Sequence, residues 1–201
     1  MTINLLAIII FTKGGNNMIE FGISLSKLNK DSFQGAYIGK IKYEIYCKEK
    51  DGEYFSYIEK ENKNLVIIVI EKKFKEKLLE KLNIYLVKKR NNNLCVEDFV
   101  KENMDINLEK NISFWRKISK EEVYKFSKLT GDENYIHLTN KPVVQGMFLL
   151  NEIIKEIGNF KELEIKFINP IFADEEIFLQ KSEESILAYS NNKLCVKIIF
   201  K

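Results

Sequence analysis

The sequence predicts an α+β protein whose carboxy-terminal half is an apolar helix lying in a curled antiparallel sheet. The first observation behind this is "GMFLLNEIIKEIG", residues 146–158. Phe148, Leu149, Leu150, Ile153, Ile154 and Ile157 make it apolar over most of its circumference, so it belongs inside a fold. The second is a switch of period to two. Leu163, Ile165 and Phe167 point one way and Glu164, Lys166 and Ile168 the other. The third is the run of short segments "EEIFLQ", "SILAYS" and "KLCVKIIFK", with Asn191-Asn192 turning the last pair.

The remaining elements follow in chain order. "LLAIIIF" (Leu5 to Phe11) is too short to span a bilayer and lacks the basic flank and small-residue cleavage site of a signal peptide. "KGGNNM" can be encoded by a ribosome-binding site followed by a start codon. Residues 1–17 are therefore expected to be translated leader, with the protein starting at Met18. Strands are expected in "AYIGKIKYEIYCKE" and "EYFSYIEKE", with Asp51-Gly52 as a hairpin turn. "NLVIIVIEKK" reads as a third strand. Phe74, Leu78, Leu79 and Leu82 fall on one helical stripe, and "EKKFKEKLLEKLNIYLVKKR" reads as a solvated helix face, its end "NIYLVKK" as a further strand. The polar stretch at residues 100–111 is the expected seam between a domain at 18–105 and one at 106–201. Beyond it "SFWRKI" is a short strand. Ser119 and Glu122 form a capping box for "KEEVYKFSKLT", which Gly131 can close in a left-handed conformation. Gly158 ends the apolar helix.

Composition narrows the function. Of 201 residues, 45% are hydrophobic and 30% charged, which fits a globular domain and excludes a disordered chain. A net charge of +3, with glutamates interleaved among the lysines, is too weak for a nucleic-acid footprint. No membrane partner is expected. Cys47, Cys95 and Cys195 form no CxxC pair, and a single histidine excludes HExxH zinc chemistry. The expectation is a cytoplasmic protein with reduced thiols, no metal and no cofactor.

That single histidine lies in "TGDENYIHLTNKPVVQGM", residues 130–147. Asp132 and His137 are a natural general acid/base pair in a loop between two helices, where a rigid scaffold displays reactive groups. Asn134 can brace the loop through its amide. Gly146 opens the buried helix, and its N–H suits a developing oxyanion. Carboxylate, imidazole and oxyanion donor together match proton transfer next to an activated carbonyl. Taken singly, each also has a bland reading: a capping aspartate, a satisfied histidine, a helix-entry glycine.

Read together, the pieces resemble a known family. "FSKLTGDENYIHL" is similar to the F-a-x-L-[ST]-G-D-x-N-P-[IVL]-H signature of MaoC-like dehydratases and (R)-specific enoyl-CoA hydratases, which are hotdog folds. "VVQGMFLL" is similar to that family's V-x-H-G-M segment, and "LEIKFINPIFADEEIFL" to its later strands. The departures are Tyr135 for proline, Gln145 for histidine, Ala173-Asp174 for Gly-Asp, and a short segment between His137 and Gly146. The resemblance implies an antiparallel sheet wrapped around a central helix at 106–201; the domain at 18–105 is either a degenerate hotdog-like repeat, completing a tandem double hotdog, or another α+β domain. The resemblance also implies reversible hydration of trans-2-enoyl thioesters to (3R)-hydroxyacyl thioesters in fatty-acid metabolism. Asp132, His137 and Gly146 would be catalytic, and Asn134, Gln145 and Met147 would contact substrate. The implied partner is an acyl-CoA or acyl-carrier-protein thioester; a homodimer stays open. A non-catalytic acyl-thioester-binding protein and a hotdog thioesterase using Glu152 remain the alternatives.

Overall fold

The computed structural model describes residues 18–28, 33–49, 51–88 and 112–201. The amino-terminal half opens with a short helix, α1 (Met18–Ser26), followed by β1 (Tyr37–Ile45), β2 (Glu53–Glu61), β3 (Leu65–Phe74) and β4 (Lys77–Val87). The carboxy-terminal half comprises β5 (Ile112–Lys117), α2 (Lys120–Thr130), α3 (Gly146–Ile157), β6 (Glu162–Phe167), β7 (Glu176–Lys181), β8 (Ser185–Ser190) and β9 (Lys193–Phe200). Among the described residues no helix is long and apolar enough to cross a membrane.

The strands form one nine-stranded sheet in the order β2-β3-β4-β1-β6-β9-β8-β7-β5. Every pairing in it is antiparallel. Read outward from the β1–β6 seam, the four strands after α1 and the four after α3 are each laid as first, last, third and second, and β5 adds a further edge strand beyond β7. The connectivity of helix and four strands is thus repeated. Alternation puts Ile41 and Tyr43 of β1, and Leu163 and Ile165 of β6, on the inner face at the seam, all buried. Charges occupy the outer face there, where Lys40 Nζ meets Glu164 Oε2 at 2.9 Å across the seam. The three helices cover the inner face, with α1 packed against both α2 and α3. Phe126 of α2 stacks on Phe148 of α3 at 5.0 Å. One continuous apolar core runs through both halves.

The expected carboxy-terminal elements are present. The Ser119–Glu122 capping box is closed in both directions, and Gly131 sits at φ 73° accepting the left-handed turn that ends α2. Asn191 and Asn192, at φ 50° and 59°, make the mirror-image turn between β8 and β9.

Two expectations for the amino-terminal half are corrected. Phe74, Leu78, Leu79 and Leu82 do not lie on a helix: the basic stretch forms the hairpin β3–β4, with Leu79 and Leu82 fully buried and Phe74 exposed. Its turn residues Lys75 and Glu76 take φ 47° and 67°, a conformation usually left to Asn or Gly, so no residue type announced the turn. Asp51-Gly52 is not a hairpin turn, because β1 pairs with β4 and β6 while β2 pairs with β3. The helix of this half is instead α1. The leader at 1–17, the seam at 100–111 and Cys95 lie outside the described residues.

Candidate active site

The capping of α2 decides where the loop begins. Gly131 and Asp132 both donate their N–H to the Ser127 carbonyl, so the chain leaves the helix with Asp132 as its first loop residue. Asp132 Oδ1 then accepts the Asn134 N–H at 3.0 Å, a local turn typical of aspartate. A single 3-10 turn, Tyr135–His137, follows. It turns Ile136 and His137 inward and leaves Tyr135 at the surface.

His137 is buried and its Nδ1 lies 2.7 Å from the Val143 carbonyl oxygen. A carbonyl only accepts, so Nδ1 carries the proton and donates it. In the neutral ring Nε2 is then a bare acceptor. It faces Asp132 Oδ2 at 3.7 Å, too long for a direct hydrogen bond. Burial pushes the imidazole pKa below its ordinary value of 6.5, against the upward pull of the Asp132 carboxylate and the Val143 carbonyl. The ring is therefore neutral at pH 7.

Val143 also ties this loop to the central helix. Its N–H returns to the Ile136 carbonyl, and Val144 N–H donates to the Ile171 carbonyl, so 142–144 is pinned between the histidine turn and the 171–173 segment. Gly146, the first residue of α3, follows after Gln145. A Cβ there would sit 3.1 Å from Ile38 Cδ1 and from Phe167 Cζ, closer than side chains ordinarily approach. No side chain caps this helix, and the N–H groups of its first turn have no intrahelical acceptor. The positive end of α3 therefore opens beside β1 and β6.

The structure thus brings Asp132 and His137 together and hangs Gly146 from the same short segment. Asn134 does something more specific than face a ligand. Its Oδ1 accepts the Gly35 N–H at 2.9 Å and its Nδ2 donates to the Ala36 carbonyl at 3.0 Å. Gln145 is 2% exposed, and its Nε2 donates to the Val123 carbonyl at 2.9 Å and to Ser127 Oγ at 2.7 Å. Both donors of that amide are engaged on α2, so it locks the start of α3 to α2. Met147 is buried within the core. Sequence reasoning missed Val143, whose contribution is a backbone carbonyl and leaves no signal. It also missed Gln34, Gly35 and Ala36, although "QG" before a strand is a turn signal.

Glu152 lies on α3 but is engaged: its carboxylate meets Arg116 Nη1, Lys155 Nζ at 2.5 Å and Asn151 Nδ2 at 3.0 Å.

No family model matches the chain, and no curated protein matches it. Solved structures do. HtdX from Mycobacterium tuberculosis superposes with a TM-score of 0.65 at 13% identity, covering 92% of this chain and 84% of that one. A MaoC-like dehydratase from Phytophthora capsici gives 0.54 at 14%, covering 87% and 74%. A 12:0-ACP thioesterase from Umbellularia californica gives 0.51 at 7%, covering 83% and 74%. The chain therefore has a hotdog fold. Within that class it shares the fold of MaoC-like dehydratases.

Proposed function

We propose that this protein hydrates trans-2-enoyl thioesters reversibly, with Asp132 and His137 as the acid–base pair. The fold alone admits dehydratases and thioesterases, so the reading rests on the site. One observation carries it: two acceptors, His137 Nε2 and Asp132 Oδ2, face each other 3.7 Å apart. A water molecule lying to one side of the pair could donate one hydrogen to each at ordinary hydrogen-bond length, about 2.8 Å.

From that arrangement the steps follow. One of the pair takes a proton as the water oxygen bonds to the β-carbon. The electrons of the double bond move to the thioester oxygen, where the Gly146 N–H and the positive end of α3 meet the developing charge. A proton is then delivered to the α-carbon and the thioester carbonyl reforms, so one water has been added across the double bond. Dehydration runs the same path backwards. Acyl-CoA or an acyl-carrier protein would supply the thioester. We also read the chain as two hotdog repeats, supported by the repeated connectivity on either side of β1–β6. Glu152, held by Arg116 and Lys155, is poorly placed to serve as a thioesterase carboxylate.

The test is hydration of crotonyl-CoA and of longer and carrier-bound enoyl thioesters, followed by loss of the enoyl absorbance. Asp132→Asn and His137→Ala should each lower the rate by at least about 100-fold. A wild-type protein inert on all of these substrates would reject the reading, and thiol release from saturated acyl-CoA would move it to the thioesterases.

A further inference from the structure

We propose that the turn at residues 33–36, in the half without the acid–base pair, is the positioning element for the loop that carries Asp132 and His137. The proposal deepens the hydratase reading, and only its kinetic arm rests on that reading.

Four hydrogen bonds join the two segments. The Asn134 amide takes the Gly35 N–H at 2.9 Å and gives its own to the Ala36 carbonyl at 3.0 Å. The Tyr135 N–H donates to Gln34 Oε1 at 3.1 Å, and Gln34 Nε2 donates to the Glu133 carbonyl at 3.4 Å. These partners lie 98 to 101 residues apart in the chain. Such a ladder has one register, because a shift by one residue would break all four bonds.

Asn134 is where the grip reaches the chemistry. Its N–H holds Asp132 Oδ1, and its carbonyl accepts the His137 N–H at 3.0 Å. One residue therefore sets the carboxylate, starts the turn that carries the imidazole, and is held from outside by Gly35 and Ala36. Glu133 and Tyr135 are exposed, so no buried packing holds that side of the loop. Gly35 stands at φ +74°, a backbone conformation that favours glycine, and the Tyr135 ring lies against it.

The single histidine makes the test direct. Selective ¹⁵N labelling of histidine gives the imidazole signals of His137 alone, reporting its tautomer and titration in the full-length protein without substrate. In the wild type the proton should sit on Nδ1 and titration should fall below 6.5. Gln34→Ala, at an exposed position, and Gly35→Ala should loosen the loop. The midpoint then rises towards 6.5 and the tautomer becomes mixed, because the imidazole gains water. Turnover of crotonyl-CoA should fall on the order of 10- to 100-fold in kcat, with a smaller change in KM. Gln34→Glu, which keeps an acceptor for the Tyr135 N–H, should retain most of the wild-type behaviour. Ser182→Ala, in the distant β7–β8 turn, should leave both readouts unchanged. A histidine titration and tautomer identical to wild type in folded Gln34→Ala overturns the proposal, even if Gly35→Ala does not fold. An inactive wild type whose histidine signals still shift in Gln34→Ala rejects the hydratase reading and supports the clamp.

Discussion

The four strands after α1 and the four after α3 are laid in the same order, and both sets close their last hairpin with two left-handed residues. They differ at one end of the buried face. In the carboxy-terminal half the facing pairs of β8 and β9 are Ile186 with Ile198 and Ala188 with Val196, all buried and apolar. In the amino-terminal half Val66 with Leu86, Ile68 with Ile84 and Ile70 with Leu82 are buried and apolar in the same way, but the row ends in Lys72 with Glu80, both buried, at 3.0 Å. The Tyr43 hydroxyl donates to Glu80, and burial first, then that carboxylate, holds the phenol well above its ordinary range. Lys72 also donates to the Glu49 carbonyl at 3.0 Å. The same strand order therefore accommodates a buried ionic cluster in one half and the Asp132–His137 loop in the other. Strand order is set by backbone pairing and inner-face apolarity, whereas the proposed chemistry lies in the segment leading into α3.

Three measurements would break or sharpen that contrast. The largest effect is expected for Glu80→Leu, which leaves Lys72 buried without its partner and should cost about 3–5 kcal/mol of stability. Replacing the whole cluster by Tyr43→Phe, Lys72→Met and Glu80→Leu should recover most of it, making this half resemble the other. Urea unfolding of both variants decides the matter; if the single substitution is neutral, the cluster is not an energetic unit. A smaller gain is expected from relieving the turn of the β3–β4 hairpin. Lys75→Asn with Glu76→Gly should stabilise by about 1–2 kcal/mol, since neither native residue favours positive φ. Writing Lys-Glu at 191–192 should destabilise the β8–β9 hairpin by a similar amount. Unchanged stability in both variants would mean that neither turn depends on its residue type.

The smallest effect is the pH dependence near neutrality, where the single histidine, in the carboxy-terminal half, titrates. The folded pKa of His137 lies below the unfolded value of about 6.5, so the unfolded chain binds the proton first. Its contribution to stability is full above pH 6.5 and is lost as the pH falls from there through the folded pKa. Unfolding temperatures measured from pH 8 to 5 should show this slope in the wild type and a flatter one in His137→Gln. Superimposable profiles would remove His137 as the source.

How far the sequence could be read tracks how local the cause was. The cap of α2, the core helix α3 and the β8–β9 turn were all readable, because Ser119, Glu122, Gly131, Gly158 and Asn191-Asn192 act on their own neighbours. The β3–β4 hairpin was not, because leucines at 78, 79 and 82 fit a helical stripe and Lys75-Glu76 hides the turn. Helix α1 was missed as well. Its "MIEFGISLS" contains a glycine and two β-branched residues, and it packs so closely that a Cβ on Gly22 would lie 2.7 Å from Thr130 Cγ2. At the candidate site, the approach of Asp132 to His137 could be anticipated from residue type and spacing. The assignment of Asn134 and Gln145 to the substrate could not foresee Ala36, Val123 and Ser127, whose contacts exist only once distant segments meet.

The β1–β6 seam has a thermodynamic consequence. Both strands that would otherwise be bare edges bind each other within a single polypeptide, so their encounter is unimolecular and independent of protein concentration. Dilution cannot part them, as it can part a sheet assembled from two separate molecules.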